Sequence, residues 1–258
     1  MNMNENQLRK KILSRELCIG TWIQIGHPTV AEILAKCGFE WIAADMEHAG
    51  IDIETYTNIV RAMSAFNTAP FARVTENAVM PIRQVLDAGA SGVIVPLVNT
   101  AEEAVRAVAA AKYPPVGKRG FAFCRSNDWG EMFDEYATMA NNLITVIVMI
   151  ESRQAVENIN EILSVDGVDG VFIGPYDLSG SYGIVGQLEH PTMLTALKQV
   201  TEACRAHKKA AGIHIVNPTT RSIENAVEDG YTFIALGMDD VFLMNYAKNA
   251  LKEIRLLL

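Results

Sequence analysis

The chain has 258 residues, of which 50% are hydrophobic and 20% are charged, as is usual for a globular enzyme. Its 22 basic and 30 acidic side chains give a net charge of −8, which argues against nucleic acid or an anionic membrane as a partner. The N-terminus is polar, the four cysteines show no CxxC spacing, and no apolar run could span a bilayer. We therefore expect a soluble, cytoplasmic protein with reduced cysteines.

Short β-branched runs alternate along the chain with amphipathic segments, which is the pattern of repeated βα units. The predicted strands are Cys18–Ile25, Trp41–Asp45, Phe71–Val74, Gly92–Val98, Ile144–Glu151, Gly170–Gly174, Ala211–Val216 and Phe233–Gly237. The predicted helices are Thr29–Cys37, Ile53–Ala65, Ala78–Ala88, Thr100–Ala111, Arg153–Ser164, Pro191–His207, Thr219–Asp229 and Asp239–Leu256. Eight such units favour a single (β/α)₈ barrel domain spanning residues 1–258 over an open, doubly wound sheet.

Two segments do not fit a minimal barrel. The connection at about 112–142 is too long for a simple turn, and its aromatic and charged residues predict an ordered lid or a subunit contact. The C-terminal helix Val241–Leu258 is more apolar than one barrel requires. We therefore expect a homo-oligomer.

Active sites of such barrels form at the C-terminal ends of the strands. The second strand ends in Asp45-Met46-Glu47-His48. Either this is a solvated loop with an incidental histidine, or His48 is a general base whose basicity a nearby carboxylate raises. The third strand ends in Arg73, which either forms a structural ion pair with a helix carboxylate or stabilises a carboxylate or enolate oxygen.

Acidic residues also follow the fifth and sixth strands, at Glu151 and Asp177. Strand ends about 4.8 Å apart can bring both carboxylates to one cation, which would relieve their repulsion. An oxygen-only ligand pair predicts a hard divalent ion, Mg²⁺ or Mn²⁺, with Co²⁺ as a further candidate. The Gly174-Pro175 turn leaves the backbone N–H groups of Tyr176 and Asp177 available to an anion.

The remaining histidines are weaker candidates. His27 follows the first strand, His190 is expected at a helix start and His207 at a basic helix end, while His214, within a strand, is read as a core residue. No lysine ends a strand, since Lys209 precedes one, which disfavours a Schiff-base mechanism.

Together these motifs resemble the HpcH/HpaI family of class II, metal-dependent pyruvate aldolases, which includes 4-hydroxy-2-oxoheptanedioate and 2-keto-3-deoxy sugar-acid aldolases. The resemblance runs from Ile19 to about Met238. The segments that carry it are DMEH at Asp45–His48, YPPVGKRG at Tyr113–Gly120, Glu151-Ser152, and VDGVFIGPYDLSGSYG at Val168–Gly183.

The resemblance implies a barrel of the phosphoenolpyruvate/pyruvate-binding type that cleaves a 4-hydroxy-2-oxoacid to pyruvate and an aldehyde. It implies metal ligation by Glu151 and Asp177, and assembly as a homotrimer or homohexamer in which a neighbouring subunit closes the mouth. It implies the following further roles: His48 as base, Asp87 as the acid that tunes it, Asp45 as a supporting partner, Arg73 as enolate stabiliser, and Gly174, Pro175, Tyr176 and Asp177 as the carboxylate-binding turn.

Three departures from the family pattern concern the substrate. Met149 stands where a glutamine is usual, Tyr176 replaces a common alanine, and Arg119–Phe123 replaces a glycine- and valine-rich stretch. They leave open an oxaloacetate decarboxylase or a CoA-thioester lyase on the same scaffold, although the chain lacks obvious extra helices for a CoA tail. A non-catalytic binding barrel is the remaining alternative.

Overall fold

The computed structural model describes residues 3–255 as a parallel, closed β-barrel surrounded by helices. The strands are β1 (Cys18–Ile23), β2 (Trp41–Asp45), β3 (Ala69–Arg73), β4 (Gly92–Val95), β5 (Thr145–Ile150), β6 (Gly170–Ile173), β7 (Ala210–Ile215) and β8 (Phe233–Met238). The helices are α1 (Met3–Leu13), α2 (Pro28–Lys36), α3 (Ile53–Met63), α4 (Val79–Asp87), α5 (Ala101–Ala111), α6 (Phe133–Leu143), α7 (Arg153–Glu157), α8 (Ile159–Ser164), α9 (Pro175–Ser181), α10 (Pro191–Ala206), α11 (Thr220–Glu228) and α12 (Asp239–Arg255).

Each strand pairs with the next along the chain, and β1 pairs with β8. This closure confirms the predicted (β/α)₈ barrel and excludes the open sheet, whose first and last strands would stay unpaired. All eight predicted strands are present. The structure also contains elements that the sequence did not predict, namely α1, α6 and α9.

An apolar core fills the barrel below its mouth. Trp41 and Phe233 stack with ring centroids 4.1 Å apart, and Phe71 packs beside both. These rings fit because small residues face them: a Cβ added at Gly20 would lie 2.1 Å from Trp41. At this level the described interior is packed with apolar side chains, and the polar side chains considered below lie at the C-terminal end.

Helix α1 closes the opposite end, which we call the foot of the barrel. Its Leu8 and Ile12 are buried with the interior core, while Arg9 forms a 2.7 Å ion pair with Asp169 and Lys11 pairs with Glu40. The sequence does not predict this helix because most of its residues are polar, and the contact with the core needs only Leu8 and Ile12.

The connection at 112–142 is structured, with a 3₁₀ segment at Arg125–Gly130 followed by α6. It begins after α5 and leads into β5, so both of its ends lie at the foot of the barrel, opposite the mouth. This placement argues against a lid over the same mouth and leaves the subunit contact as a prediction. Phe123 and Trp129 in this segment are 73% and 65% exposed.

Helix α12 extends away from the barrel. Its apolar side chains Leu243, Met244, Tyr246, Leu251 and Ile254 are all exposed. The last three residues of the predicted C-terminal helix, 256–258, lie outside the described residues. Within residues 3–255, no helix combines the length and the hydropathy needed to cross a membrane.

Candidate active site at the barrel mouth

Asp45, the last residue of β2, is the acceptor at the centre of the mouth. It is fully buried and accepts hydrogen bonds from the Arg73 side chain, from Gln24 Nε2 at 2.7 Å, and from the backbone N–H groups of Glu47 and His48 at 3.2 and 3.1 Å. Burial opposes its ionisation, but these bonds and the charge of Arg73 hold the pKa of Asp45 below its ordinary value. Asp45 is therefore a fixed anion that orients its neighbours.

Arg73 ends β3 directly beside Asp45, with which it is paired in the strand register. Its Nε and Nη2 donate to the two oxygens of Asp45 at 2.9 and 2.5 Å, and its guanidinium lies 4.9 Å from the centroid of the Trp22 ring. The prediction of a structural pair with a helix carboxylate is wrong, because the adjacent strand supplies the partner. No described hydrogen bond uses Nη1 within residues 3–255, so that donor is available at the mouth.

Glu47 lies between Arg73 and His48. Its Oε2 is 3.5 Å from both Arg73 Nε and His48 Nε2, and it is buried with no hydrogen-bond partner among the described groups. Burial raises the pKa of Glu47 above its ordinary value, which the positive charge of Arg73 partly offsets. His48 is 59% exposed and faces this carboxylate.

Glu151 follows β5 and is buried. Its Oε1 accepts a 2.6 Å hydrogen bond from the backbone N–H of Leu97, a residue held in the left-handed region at φ 56°. Burial raises the pKa of Glu151, and the carboxylates of Glu47 and Asp177 raise it further. Three acids from different strands thus influence one another at this rim, and a cation would relieve their repulsion.

Helix α9 begins where β6 ends and brings the Gly174–Asp177 turn to the same rim. A Cβ added at Gly174 would lie 3.0 Å from Glu151 Oε2, so glycine allows the turn to approach that carboxylate. Pro175 is the first residue of the helix. Tyr176 and Asp177 are exposed, and their N–H groups belong to the first helical turn, where intrahelical acceptors are missing.

Met149 lies two residues before Glu151 on β5, and its side chain is only 3% exposed. It packs with the interior core and lies beneath Gly174, since a Cβ at Gly174 would be 3.5 Å from its Cε. The floor of the site at this point is therefore apolar and polarisable, where a glutamine would offer an amide.

Asp87 does not contact this site within one chain. It is the last residue of α4, and a helix that follows a barrel strand runs back toward the foot. There its Oδ1 accepts a 2.7 Å hydrogen bond from the buried Arg119, whose guanidinium lies over the ring of Tyr113 at 4.6 Å. The carboxylate beside His48 is that of Glu47, and a tuning role of Asp87 stays a prediction.

The other histidines have local partners. His27 and His190 are N-caps of α2 and α10, each accepting from a backbone N–H at 3.2 Å. His207 ends α10 and lies 3.2 Å from Asn160. His214 lies inside the barrel, with Nε2 2.9 Å from the carbonyl oxygen of Gly237.

The sequence did not single out Gln24, Glu47 or Leu97 as site residues. Glu47 could have been found, since it lies inside the DMEH motif. Gln24 and Leu97 could not, because their contacts depend on side-chain direction and on an unusual φ. Within residues 3–255, no three His, Cys, Asp or Glu side chains are grouped closely enough to form a metal site as they stand.

A closed (β/α)₈ barrel with an arginine, a histidine and converging carboxylates at its C-terminal mouth has the organisation of a barrel enzyme. The chain belongs to the HpcH/HpaI aldolase/citrate lyase family, whose model matches residues 18–245. The resemblance drawn from the sequence is confirmed, and the chain is an aldolase, a carbon–carbon lyase, rather than a non-catalytic barrel.

Relatives cover most of the chain. It is 37% identical over 235 residues to the 5-keto-4-deoxy-D-glucarate aldolase of Enterobacter sp. (strain 638), covering 91% of both proteins. It is 38% identical over 232 residues to the 4-hydroxy-2-oxo-heptane-1,7-dioate aldolase of Salmonella typhimurium, covering 89% of this chain and 87% of the relative. A family member from Burkholderia cenocepacia superposes with a TM-score of 0.93 at 32% identity, over 97% of this chain and 99% of that one.

Proposed function

We propose that the enzyme reversibly cleaves a 4-hydroxy-2-oxoacid to pyruvate and an aldehyde at the rim formed by Glu47, Arg73, Glu151 and Asp177. The observation that supports this proposal is the arrangement of charge at the rim. Asp45 holds the guanidinium of Arg73 in a fixed position, and near it lie the carboxylates of Glu47 and Glu151, whose pKa values are raised by burial and by repulsion from other carboxylates. Such a site suits a substrate whose negative charge moves during the reaction.

The residues of this rim fit a divalent cation. Glu151 and Asp177 would hold it, and the buried Glu47 Oε2, which lacks a hydrogen-bond partner, is a further oxygen facing the same space. All these donors are oxygen, as Mg²⁺ and Mn²⁺ prefer. The bound cation supplies Lewis acidity toward the carbonyl and carboxylate oxygens of a 2-oxoacid.

The side chains of the chain itself perform the proton and charge transfers. His48 removes the proton of the C4 hydroxyl, directly or through water, and the C3–C4 bond breaks to release the aldehyde. The electron pair of that bond passes into the pyruvate enolate, whose C2 oxygen Arg73 stabilises by charge. Protonation at C3 then gives pyruvate. The N–H groups of Tyr176 and Asp177 bind the carboxylate of the substrate.

Exposed apolar surface supports a homo-oligomer, as a trimer or hexamer. Helix α12 exposes apolar side chains on its described length, and the 112–142 connection exposes Phe123 and Trp129. Because Asp87 lies at the foot of its own barrel, its participation in the reaction requires a second copy of the chain. Light scattering of the purified protein tests this assembly, and a monomer at micromolar concentration would contradict it.

Exchange of the pyruvate methyl protons with solvent deuterium, followed by NMR, tests the proposed chemistry without an aldehyde. We expect exchange with Mg²⁺ or Mn²⁺ and its loss after chelation or in Glu151→Ala. Persistent exchange and aldol cleavage in exhaustively chelated Glu151→Ala would overturn the proposal. Turnover of oxaloacetate without turnover of any 4-hydroxy-2-oxoacid would instead indicate a decarboxylase.

A further inference from the structure

An irregularity in β8 shapes the wall of the mouth between β7 and β1. Gly20 pairs with Ala235 but Trp22 pairs with Met238, so β8 contains one more residue than β1 over this interval. The bulge includes Gly237, which has φ +56° and leaves no room for a Cβ, since one would lie 2.2 Å from Phe242. Such bulges redirect groups beside active sites. Here the Gly237 carbonyl accepts from His214 Nε2 at 2.9 Å. It also lies 3.2 Å from Thr21 Oγ1, whose shorter hydrogen bond, at 2.8 Å, goes to the Leu236 carbonyl.

His214 faces the interior near the site. Its strand neighbours Ile213 and Ile215 pack against the outer core beneath the helices, so strand alternation directs His214 inward. Its ring lies 6.2 Å from that of Trp22, the same ring over which Arg73 is placed at 4.9 Å. His214 and Arg73 therefore border the same part of the mouth.

The bond to Gly237 determines which ring nitrogen carries the proton. A carbonyl oxygen can only accept, so Nε2 donates and the neutral ring has an unprotonated Nδ1. Burial, together with the charge of Arg73, lowers the pKa of His214 to about 4, so the ring is neutral near pH 7. No hydrogen bond described within residues 3–255 uses Nδ1. This nitrogen is an uncharged acceptor near the guanidinium of Arg73.

We propose that His214 determines the acceptor specificity of the enzyme by accepting, through Nδ1, a hydrogen bond from a hydroxyl group on the aldehyde portion of the substrate. This inference rests on the proposed aldolase activity. A hydroxyl supplies the proton that Nδ1 lacks, whereas an unsubstituted alkyl aldehyde would bury Nδ1 without a donor. A carboxylate offers no proton and would gain nothing from Nδ1.

Paired substrates and apolar variants test this role. Glyceraldehyde and propionaldehyde have the same carbon chain and differ in hydroxyl groups, and each is condensed with pyruvate by wild type, His214→Leu and His214→Phe. We expect the ratio of kcat/KM for glyceraldehyde to that for propionaldehyde to fall about tenfold in both variants, as for one neutral hydrogen bond. The value for propionaldehyde should change by less than about twofold.

Two controls accompany this test. One shows whether His214 contacts the substrate or only supports the fold, and the other shows whether the aldolase proposal itself fails. His207→Leu, at the foot of the barrel, should leave the ratio unchanged. Deuterium exchange into pyruvate should persist in the His214 variants, because it requires no aldehyde. If wild type shows no exchange, the aldolase proposal fails. The role of His214 is overturned if exchange persists in its variants and the ratio is unchanged. It is also overturned if kcat/KM falls equally for glyceraldehyde and propionaldehyde. If circular dichroism shows that the apolar variants do not fold, wild type supplies the test. Methoxyacetaldehyde, which has no hydroxyl proton to donate, should then have a kcat/KM about tenfold below that of glycolaldehyde, and equal values would overturn the role of His214.

Discussion

Asp45 and Arg73 form a two-point ion pair across adjacent strand ends, with Nε–Oδ1 at 2.9 Å and Nη2–Oδ2 at 2.5 Å. Two parallel bonds fix the plane of the guanidinium as well as its position. Because Asp45 also accepts from Gln24 and from the N–H groups of Glu47 and His48, one carboxylate orients the arginine and the loop that carries the proposed base.

Replacing Asp45 with asparagine should disconnect these groups while retaining the shape of the side chain. The amide has one acceptor oxygen, and its NH₂ group would face a donor. We expect kcat to fall about 10²-fold, on the scale of losing one oriented donor at a charged transition state. Steady-state kinetics measure this effect. Asp52→Asn, at the exposed N-cap of α3, is the matched control and should retain activity, and a wild-type kcat in Asp45→Asn would contradict the positioning role.

Arg73→Ala should lower kcat by about 10²–10³-fold, because the charge that develops on the C2 oxygen loses its cation. An effect on KM alone would mean that Arg73 binds substrate and transition state equally, which contradicts its role as enolate stabiliser. Arg153→Ala is the control. Arg153 is 66% exposed and pairs with Glu157 on the surface, so its loss should leave both constants unchanged.

The metal-free enzyme should become more stable when Glu151 is replaced with glutamine. Burial, with Glu47 and Asp177 nearby, raises the pKa of Glu151 above its unfolded value. The folded state therefore binds the proton more tightly, and stability is lost as pH rises through the interval between the two pKa values. At neutral pH the ionised carboxylate of Glu151 destabilises the metal-free fold, and glutamine, which carries no charge, removes this destabilisation.

Thermal unfolding in EDTA measures this gain. We expect a higher Tm for Glu151→Gln than for wild type at pH 8, by about 2–4 °C for each kcal/mol recovered, and a smaller difference at pH 5. Bound Mn²⁺ and activity should both be lost. Glu157→Gln on the surface should show no such difference. A lower Tm for Glu151→Gln at pH 8 would show that the carboxylate stabilises the metal-free fold.

The sequence predicts the parts of this molecule that depend on strand order. Each barrel strand ends at the same rim, so Asp45, Arg73 and Glu151 are found from their positions alone. Asp87 cannot be placed at the rim in this way, since the direction of α4 puts its last residue at the foot, where it pairs with Arg119. Its proposed role comes from the resemblance alone and stays a prediction.

Contacts that depend on local backbone geometry could not be predicted. The N–H of Leu97 reaches Glu151 from a left-handed residue, a conformation that a leucine does not signal. The position of His214 within a strand predicts a satisfied core residue rather than a ligand. Only the additional residue in β8 and the tautomer set by Gly237 show that one of its nitrogens is left without a described partner.

Gly237→Ala tests the bulge that orients His214. Gly38 is the matched control, because it also has positive φ (+94°) but would have no atom within 4 Å of an added Cβ. Gly38→Ala should lose only the backbone cost of about 1–2 kcal/mol, whereas Gly237→Ala must also displace Phe242 and turn the carbonyl that holds His214. We expect the larger fall in Tm for Gly237→Ala, and a reduced preference for glyceraldehyde over propionaldehyde in that variant alone. An unchanged preference in a folded Gly237→Ala enzyme would mean that the bulge does not control the choice of aldehyde, because the Gly237 carbonyl that fixes the His214 ring would then move without any effect on that choice.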